Sequence, residues 1–277
     1  GITPAGGQLP EAWRQTIHQA IHLGMDVISG MHTFLNEDRE FSQAAALAGV
    51  TLFDLRRPPQ DLTVSQCRSQ LTRTFRIHTV GTDCNCGKKV TAIHIHRELQ
   101  NRRLHAEFIA TGQTGILISG KGIALDRVIA DFCSGAAERL ILENQQYDYL
   151  VLEGQGSLTH PLYAGVTLSM LYGFAPQALI LCHQVGRTIM RGTPATPVPS
   201  LQTMIGLYEA ITHPVYPARV VGIALNLMSV PDAGEAKDYV QQVQAETGLP
   251  ATDVVRYGAG NLVDAITRYK QERESFH

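Results

Sequence analysis

What most constrains the fold of this chain is a series of short, largely apolar runs: FRIHTVG (75–81), AEFIATG (106–112), YDYLVLEG (147–154), QALILCH (177–183) and VVGIALN (220–226). Helical text lies between them: VTAIHIHRELQNR, ALDRVIADFCSGAAERLILE, SLQTMIGLYEAIT and AGEAKDYVQQVQAETG. Strand-length apolar runs alternating with helices predict an α/β fold, a parallel sheet buried on both faces. In such sheets ligands bind beyond the carboxyl ends of the strands. The residues that follow each run are therefore the ones to inspect.

Residues 1–57 repeat the alternation on a smaller scale. EAWRQTIHQAIHLG has apolar residues at helical spacing with Pro10 just ahead, DVISGMH reads as a strand, EFSQAAALAG as a helix and TLFDLR as a second strand. The text opens as if at a strand end, so the expectation is a Rossmann-like unit lacking its first strands. RRPPQDL (56–62) reads as a linker because its two prolines suit neither helix nor strand. The expected organisation is an N-terminal Rossmann-like domain over 1–60 and a P-loop NTPase-like parallel-sheet domain over 61–277. ATPVPS (195–200) reads as a flexible surface loop.

Composition narrows the class. The net charge is −2 with histidines neutral, so nothing calls for a nucleic-acid or anionic-membrane partner. No apolar run approaches the ~20 residues that cross a bilayer, and no signal peptide is visible at the start. Five scattered cysteines give no disulfide framework, so the expectation is a cytoplasmic protein with reduced thiols. Cys84 and Cys86 form a single C-x-C without a second pair. His94 and His96 cannot share a helix face, and His18 and His22 lack a third ligand. No metal site is expected.

FRIHTVG runs into TDCNCGKK and then into a helix, the strand, glycine-rich turn and helix order of a phosphate loop. Gly81 and Gly87 let backbone N–H groups turn inward, and the helix N-terminus adds its positive end. The cradle comprises Gly81, Thr82, Asp83, Cys84, Asn85, Cys86, Gly87, Lys88 and Lys89, with Lys88 as the mobile cation. Lys89 stands where a Mg²⁺-binding hydroxyl is usual. Thr91 faces differently on the helix. Two adjacent cations suit a multiply charged ligand that is held and not cleaved, such as acetyl-CoA.

Other strand ends add candidates. Glu153, followed by G-Q-G, can act as a general base, reach a metal, or cap the turn. His160 can serve as acid or base, or simply pack. Thr111, Gln113 and Thr114 suit substrate recognition or an ordinary turn. Arg187 can clamp a carboxylate or form a surface ion pair. Asn226 can read an adenine edge or close a turn. Backbone amides from Gly154 to Ser157 can stabilise an oxyanion.

Together, GTDCNCGKK, VLEGQGS and GIALN resemble the phosphate loop, acidic strand end and base-reading Asn of dethiobiotin synthetase. PAGGQLP, DVISGMH, FIATGQTGILISG, VIADFCSGAAE, VLEGQGSLTHP and ALILCH resemble, along nearly the whole chain, a family catalogued as a domain of unknown function and associated with D-glutamate N-acetyltransferase. That resemblance implies a Rossmann-like domain followed by a P-loop domain, and acetyl transfer from acetyl-CoA to the amine of D-glutamate in D-amino-acid breakdown. It implies Gly81 to Lys88 and Asn226 as the cofactor cradle, with Glu153, Lys88 and His160 as catalytic groups. Gln113, Ser157 and Arg187 fall on the substrate side. Two other readings stay open: an ATP- and Mg-dependent ligase or kinase with Glu153 and Asp83 near the metal, and a nucleotide-sensing module without turnover. A homo-oligomer is expected in any case.

Overall fold

The computed structural model describes residues 9–275. All but the last two residues of GITPAGGQLP lie outside them. The chain forms two compact units: residues 1–61 with 110–128, and residues 62–109 with 129–277. The second unit is thus assembled from two stretches of chain.

In the first unit, β1 (Val27–Ser29) and β2 (Leu52–Asp54) pair in parallel, with Val27 opposite Leu52. Helices α1 (Glu11–His22) and α2 (Arg39–Ala48) accompany them, and Ile21, Leu35, Phe41, Ala45 and Leu52 make the core. Asp38 caps α2 by accepting from the N–H groups of Glu40 and Phe41, and Gly49 ends it at a φ of 67°. The Arg56 of the expected linker is buried. Its Nε donates to the Gly30 carbonyl (2.7 Å) and to Gln113 Oε1 (2.8 Å), and it pairs with Asp126.

The second unit carries β3 (Phe75–Gly81), β4 (Ala106–Ile109), β5 (Tyr149–Leu152), β6 (Ala178–Gln184), β7 (Arg219–Asn226) and β8 (Ala251–Thr252). They form one parallel sheet in the order β4-β5-β3-β6-β7-β8. Its helices are α3 (Lys88–Asn101), α5 (Ala130–Leu142), α6 (Ala164–Phe174), α7 (Leu201–Thr212), α8 (Ala233–Thr247) and α9 (Gly260–Ser275), while α4 (Gln113–Ser119) belongs to the first unit. Each apolar run singled out in the sequence overlaps one of β3 to β7. All seven residues of β3 are buried, as expected of a central strand with neighbours on both edges. Because β5 and β6 flank β3 on opposite sides, the strand order reverses at β3. In sheets of this kind the ligand site lies beyond the carboxyl end of the strand at that point.

The structure corrects one local expectation and adds detail to two others. ALDRVIADFCSGAAERLILE is not one helix: a single 3-10 turn at Leu125–Arg127 is followed by extended Val128 and Ile129, and α5 begins at Ala130. The β-branched pair sits where the chain passes from one unit to the other. ATPVPS is bonded back on the preceding residues, Met190 N–H to the Thr196 carbonyl and Val198 N–H to that of Thr188, both at 2.8 Å. ATGQTG is not a bare turn, since Gln113 opens α4.

Helices α5 and α6 touch through small residues. A Cβ on Gly173 would collide with the Ser134 carbonyl and come within 2.6 Å of Ala137 Cβ. Ser69 Oγ donates to the Gly173 carbonyl at 2.6 Å. Glu138 of α5 accepts from the N–H groups of Gln66 and Arg68, pinning the segment that leads into β3.

Candidate active site

The phosphate loop leaves β3 at Gly81 and enters α3 at Lys88. Asn85 and Gly87 take positive φ values of 51° and 114°, the bends that turn the loop back on itself. Gly81 has no room for a side chain: a Cβ would lie 2.6 Å from Cys86 Sγ and 2.9 Å from Lys88 Nζ. Lys88 is buried, and its ammonium donates to the Asp83 carbonyl at 2.7 Å and to Cys86 Sγ at 3.6 Å. The loop thus closes around its own cation. Lys89 is the next residue of α3 and is half-buried. Thr91 is buried on another face, where its hydroxyl interacts with the Cys182 thiol, so it does not supply the hydroxyl that position 89 lacks.

Asp83 organises the loop from within. Its Oδ2 accepts from Arg187 Nη1 (2.7 Å) and the Arg191 N–H (2.9 Å), and its Oδ1 from the Cys84 N–H (2.7 Å). Burial pushes this carboxyl up, but the Arg191 and Cys84 amides and the Arg187 guanidinium outweigh it and hold the group below its usual range. Arg187 is therefore neither an open carboxylate clamp nor a solvent-exposed ion pair. It also donates to the Cys84 carbonyl at 2.6 Å and to Gln184 Oε1.

His160 is fully buried beside this group. Its Nδ1 accepts from the Leu162 N–H at 3.2 Å, which leaves the proton on Nε2, 3.0 Å from the Arg191 carbonyl. Nε2 also lies 3.5 Å from Asp83 Oδ1 and 3.8 Å from Cys84 Sγ. Burial, with Asp83 adding to it, pushes the Cys84 thiol up. Asp83, Cys84 and His160 bring one ligand atom each within 4.8 Å of one another, the spacing of a metal site. Asp83 already accepts from Arg187 and the Arg191 N–H, and His160 Nδ1 from the Leu162 N–H, so an ion taking those atoms would compete with these bonds.

Glu153 is buried at the carboxyl end of β5, and its backbone N–H donates to the Ile109 carbonyl at 3.0 Å. Gly154 must be glycine, because a Cβ would overlap the Thr79 carbonyl and lie 3.0 Å from Lys88 Cδ. The backbone that follows Glu153 thus passes close to the stem of the phosphate-loop lysine. The Gly154 N–H already donates to Thr79 Oγ1 at 3.0 Å, which takes it out of the set of oxyanion donors. Ser157 is fully buried beside Tyr208. Asn226 ends β7, its Cβ 3.9 Å from where a Cβ on Gly87 would stand. Its side-chain oxygen accepts from the Met228 N–H at 3.1 Å, so it closes a turn at the loop's edge. Gln113 lies in the other unit, where it accepts from Arg56.

Three further side chains meet the site without being among the candidate residues named from the sequence. Tyr208 of α7 is fully buried, donates to the Gly81 carbonyl at 2.8 Å and accepts from the Leu158 N–H at 3.1 Å. It ties the start of the phosphate loop to the segment after Glu153, and burial lifts its phenol to about 12. His183 meets Thr82 Oγ1 at 3.0 Å, and burial with the nearby Arg187 charge pushes it down to about 4. His78 in β3 donates from Nδ1 to the Leu152 carbonyl at 3.3 Å, and burial brings it to about 4 as well. A tyrosine within a helix and histidines within apolar runs look like ordinary core text.

Comparison with known proteins agrees with this geometry. Residues 63–263 match the family model described as Domain of unknown function (DUF1611_C) P-loop domain, and residues 1–58 that described as Domain of unknown function (DUF1611_N) Rossmann-like domain. A protein of Tritonibacter scottomollicae named D-glutamate N-acetyltransferase is 40% identical over 267 residues, 96% of this chain and 79% of that protein. One of the same name from Pseudoalteromonas sp is 38% identical over 264 residues, 95% of this chain and 79% of its own length. The crystal structure of a DUF1611 family protein from Anabaena variabilis ATCC 29413 superposes with a TM-score of 0.93 at 38% identity, covering 97% of this chain and 78% of that one. With both family domains matched and relatives this similar over nearly its whole length, the chain belongs to the DUF1611 family.

Proposed function

We propose that this protein is an N-acetyltransferase that moves the acetyl group of acetyl-CoA to the amine of D-glutamate, a step of D-amino-acid breakdown. The observation that carries the reading is its 40% identity, over 96% of its length, to a protein named D-glutamate N-acetyltransferase. The loop chemistry supports it. Lys88 and Lys89 put two cations at the N-terminus of α3 without the hydroxyl that holds Mg²⁺ beside a nucleotide, a combination suited to binding the phosphates of CoA without cleaving them.

In this reading the amine of D-glutamate, having lost one proton to become nucleophilic, attacks the thioester carbonyl. The new C–N bond forms as the C–S bond breaks. Glu153, buried at the carboxyl end of β5, takes the second amine proton, and the amides of Gly156 and Ser157 serve the transient oxyanion. CoA leaves as its thiolate and takes its proton from solvent, while His160, neutral with its Nε2 proton on the Arg191 carbonyl, holds the loop beside it. Arg187 positions Asp83 and the loop.

The test is mass-spectrometric detection of N-acetylglutamate from D- and L-glutamate, with acetyl-CoA in chelator against Mg-ATP plus acetate. Product from D-glutamate with acetyl-CoA alone is expected. Product only with Mg-ATP would replace this reading with the ligase one.

A further inference from the structure

The sheet of the second unit has a second concave site, at the end opposite the phosphate loop. A cavity of about 260 Å³ is lined by Arg73, Phe75, Gln177, Tyr216, Lys270 and Arg273, with Glu274 at its edge. Phe75 opens β3 and Gln177 immediately precedes β6, so the cavity lies at the amino ends of the strands. The seven residues of β3 separate it from the phosphate loop by roughly 20 Å. It is no part of the site described above.

Its charge is unusual for this protein. The chain as a whole carries −2, yet three cations converge here against one carboxylate, and that carboxylate is 3.5 Å from Lys270. A fourth cation stands behind the wall. Arg76 is fully buried, with Nε donating to the Ala175 carbonyl (2.8 Å) and Nη1 to Thr72 Oγ1 (2.8 Å) and the Thr74 carbonyl (2.9 Å). Its Nη2 has no hydrogen-bond partner. Its guanidinium lies 5.3 Å from the ring of Tyr216, which also lines the cavity, and that of Arg273 lies 5.7 Å from the same ring. Among the described residues no carboxylate pairs with this buried guanidinium; burial brings Arg76 down to about 10, the Tyr216 phenol, by its charge and by a hydrogen bond, opposes that fall, and Arg273 adds to it. Burying an uncompensated guanidinium is costly, and like charges beside it add to the cost. A bound anion would relieve both.

We infer that this cavity is a binding site for a small oxyanion, a phosphate or a short dicarboxylate, held by Arg73, Lys270 and Arg273 with Arg76 supplying field from behind. Arginine forks match the planar oxygens of either group, and the aromatic walls formed by Phe75 and Tyr216 leave room for a short carbon chain. Its distance from the phosphate loop makes it a place where an anion can act on the protein without competing for the substrate site.

The test uses Lys88→Ala protein, so that the phosphate loop loses its cation, and titration calorimetry with inorganic phosphate and, separately, glutarate. Saturable binding of at least one anion is expected, weakening as salt rises. Adding Arg273→Gln or, independently, Lys270→Gln should weaken it by about tenfold or more, the worth of one charged hydrogen bond. The arm that binds identifies the oxyanion. Absence of saturable binding in both arms, or binding unchanged by both substitutions in a folded protein, overturns the inference.

Discussion

At the scale of single residues, the loop shows one cation doing two jobs in turn. Lys88 Nζ bonds the loop's own Asp83 carbonyl and Cys86 sulfur, so an incoming phosphate must take it over from those partners. Gly154, the residue after Glu153, passes close to the Lys88 side chain. If Lys88 holds the donor and Glu153 takes the amine proton, their variants separate in kinetics. Glu153→Gln should lower kcat by about 10²–10⁴ with little change in the KM for acetyl-CoA. Lys88→Ala should chiefly raise that KM. Steady-state rates with varied acetyl-CoA check both, and a large KM change in Glu153→Gln would remove its role as base. This part of the site was legible because its signals are local: two glycines, a lysine and a strand-to-helix transition within nine residues. Tyr208, the Arg191 amide and the inward turn of Arg187 were not, because each reaches the loop from more than a hundred residues away in sequence.

At the scale of elements, the core strands could be read because burial on both faces makes them apolar without interruption. The parts missed have the opposite character. Strand β8 is two residues long, and α9 is largely polar text. Helix α6, AGVTLSMLYGF, is apolar nearly throughout and shows no clean amphipathic stripe. What fixes α6 is contact and not pattern, and glycine substitutions expose this. Gly173→Ala drives a methyl into the Ser134 carbonyl and Ala137, so a loss of about 2–3 kcal/mol is expected. Gly206→Ala, on the exposed face of α7 with open space around it, should gain about 0.5–1 kcal/mol from helix propensity. Urea unfolding of the two variants gives both values, and equal effects would mean that the α5–α6 contact is looser than described.

Across the whole molecule, acidity should weaken the fold in two stages. His78 and His183 are held near 4, against 6.5 in the unfolded chain, because burial disfavours their charged forms. The unfolded chain therefore binds more protons between these values, and stability falls as the pH drops through that window. Each ring contributes a slope of about 1.4 kcal/mol per pH unit at most. A second loss begins below the ordinary carboxylate values of 4.5 and 3.8. There Glu138, whose burial is outweighed by the Arg68 and Gln66 amides, and Asp83 both resist protonation in the folded state. Denaturant midpoints from pH 7 to pH 3 should show both stages. His78→Leu should remove about one proton from the first stage and leave the second untouched; an unaltered first stage would show that His78 does not carry it.

The strand that launches the phosphate loop is also the one with neighbours on both edges and every residue covered. In proteins that open piecemeal, the last backbone to be released is the kind β3 represents. Loosening Gly81 therefore means dismantling the sheet on both sides of it. The phosphate-loop cradle has in effect no partial off state of its own: any control over it has to arrive by way of what it binds, or by way of what binds elsewhere on an intact molecule.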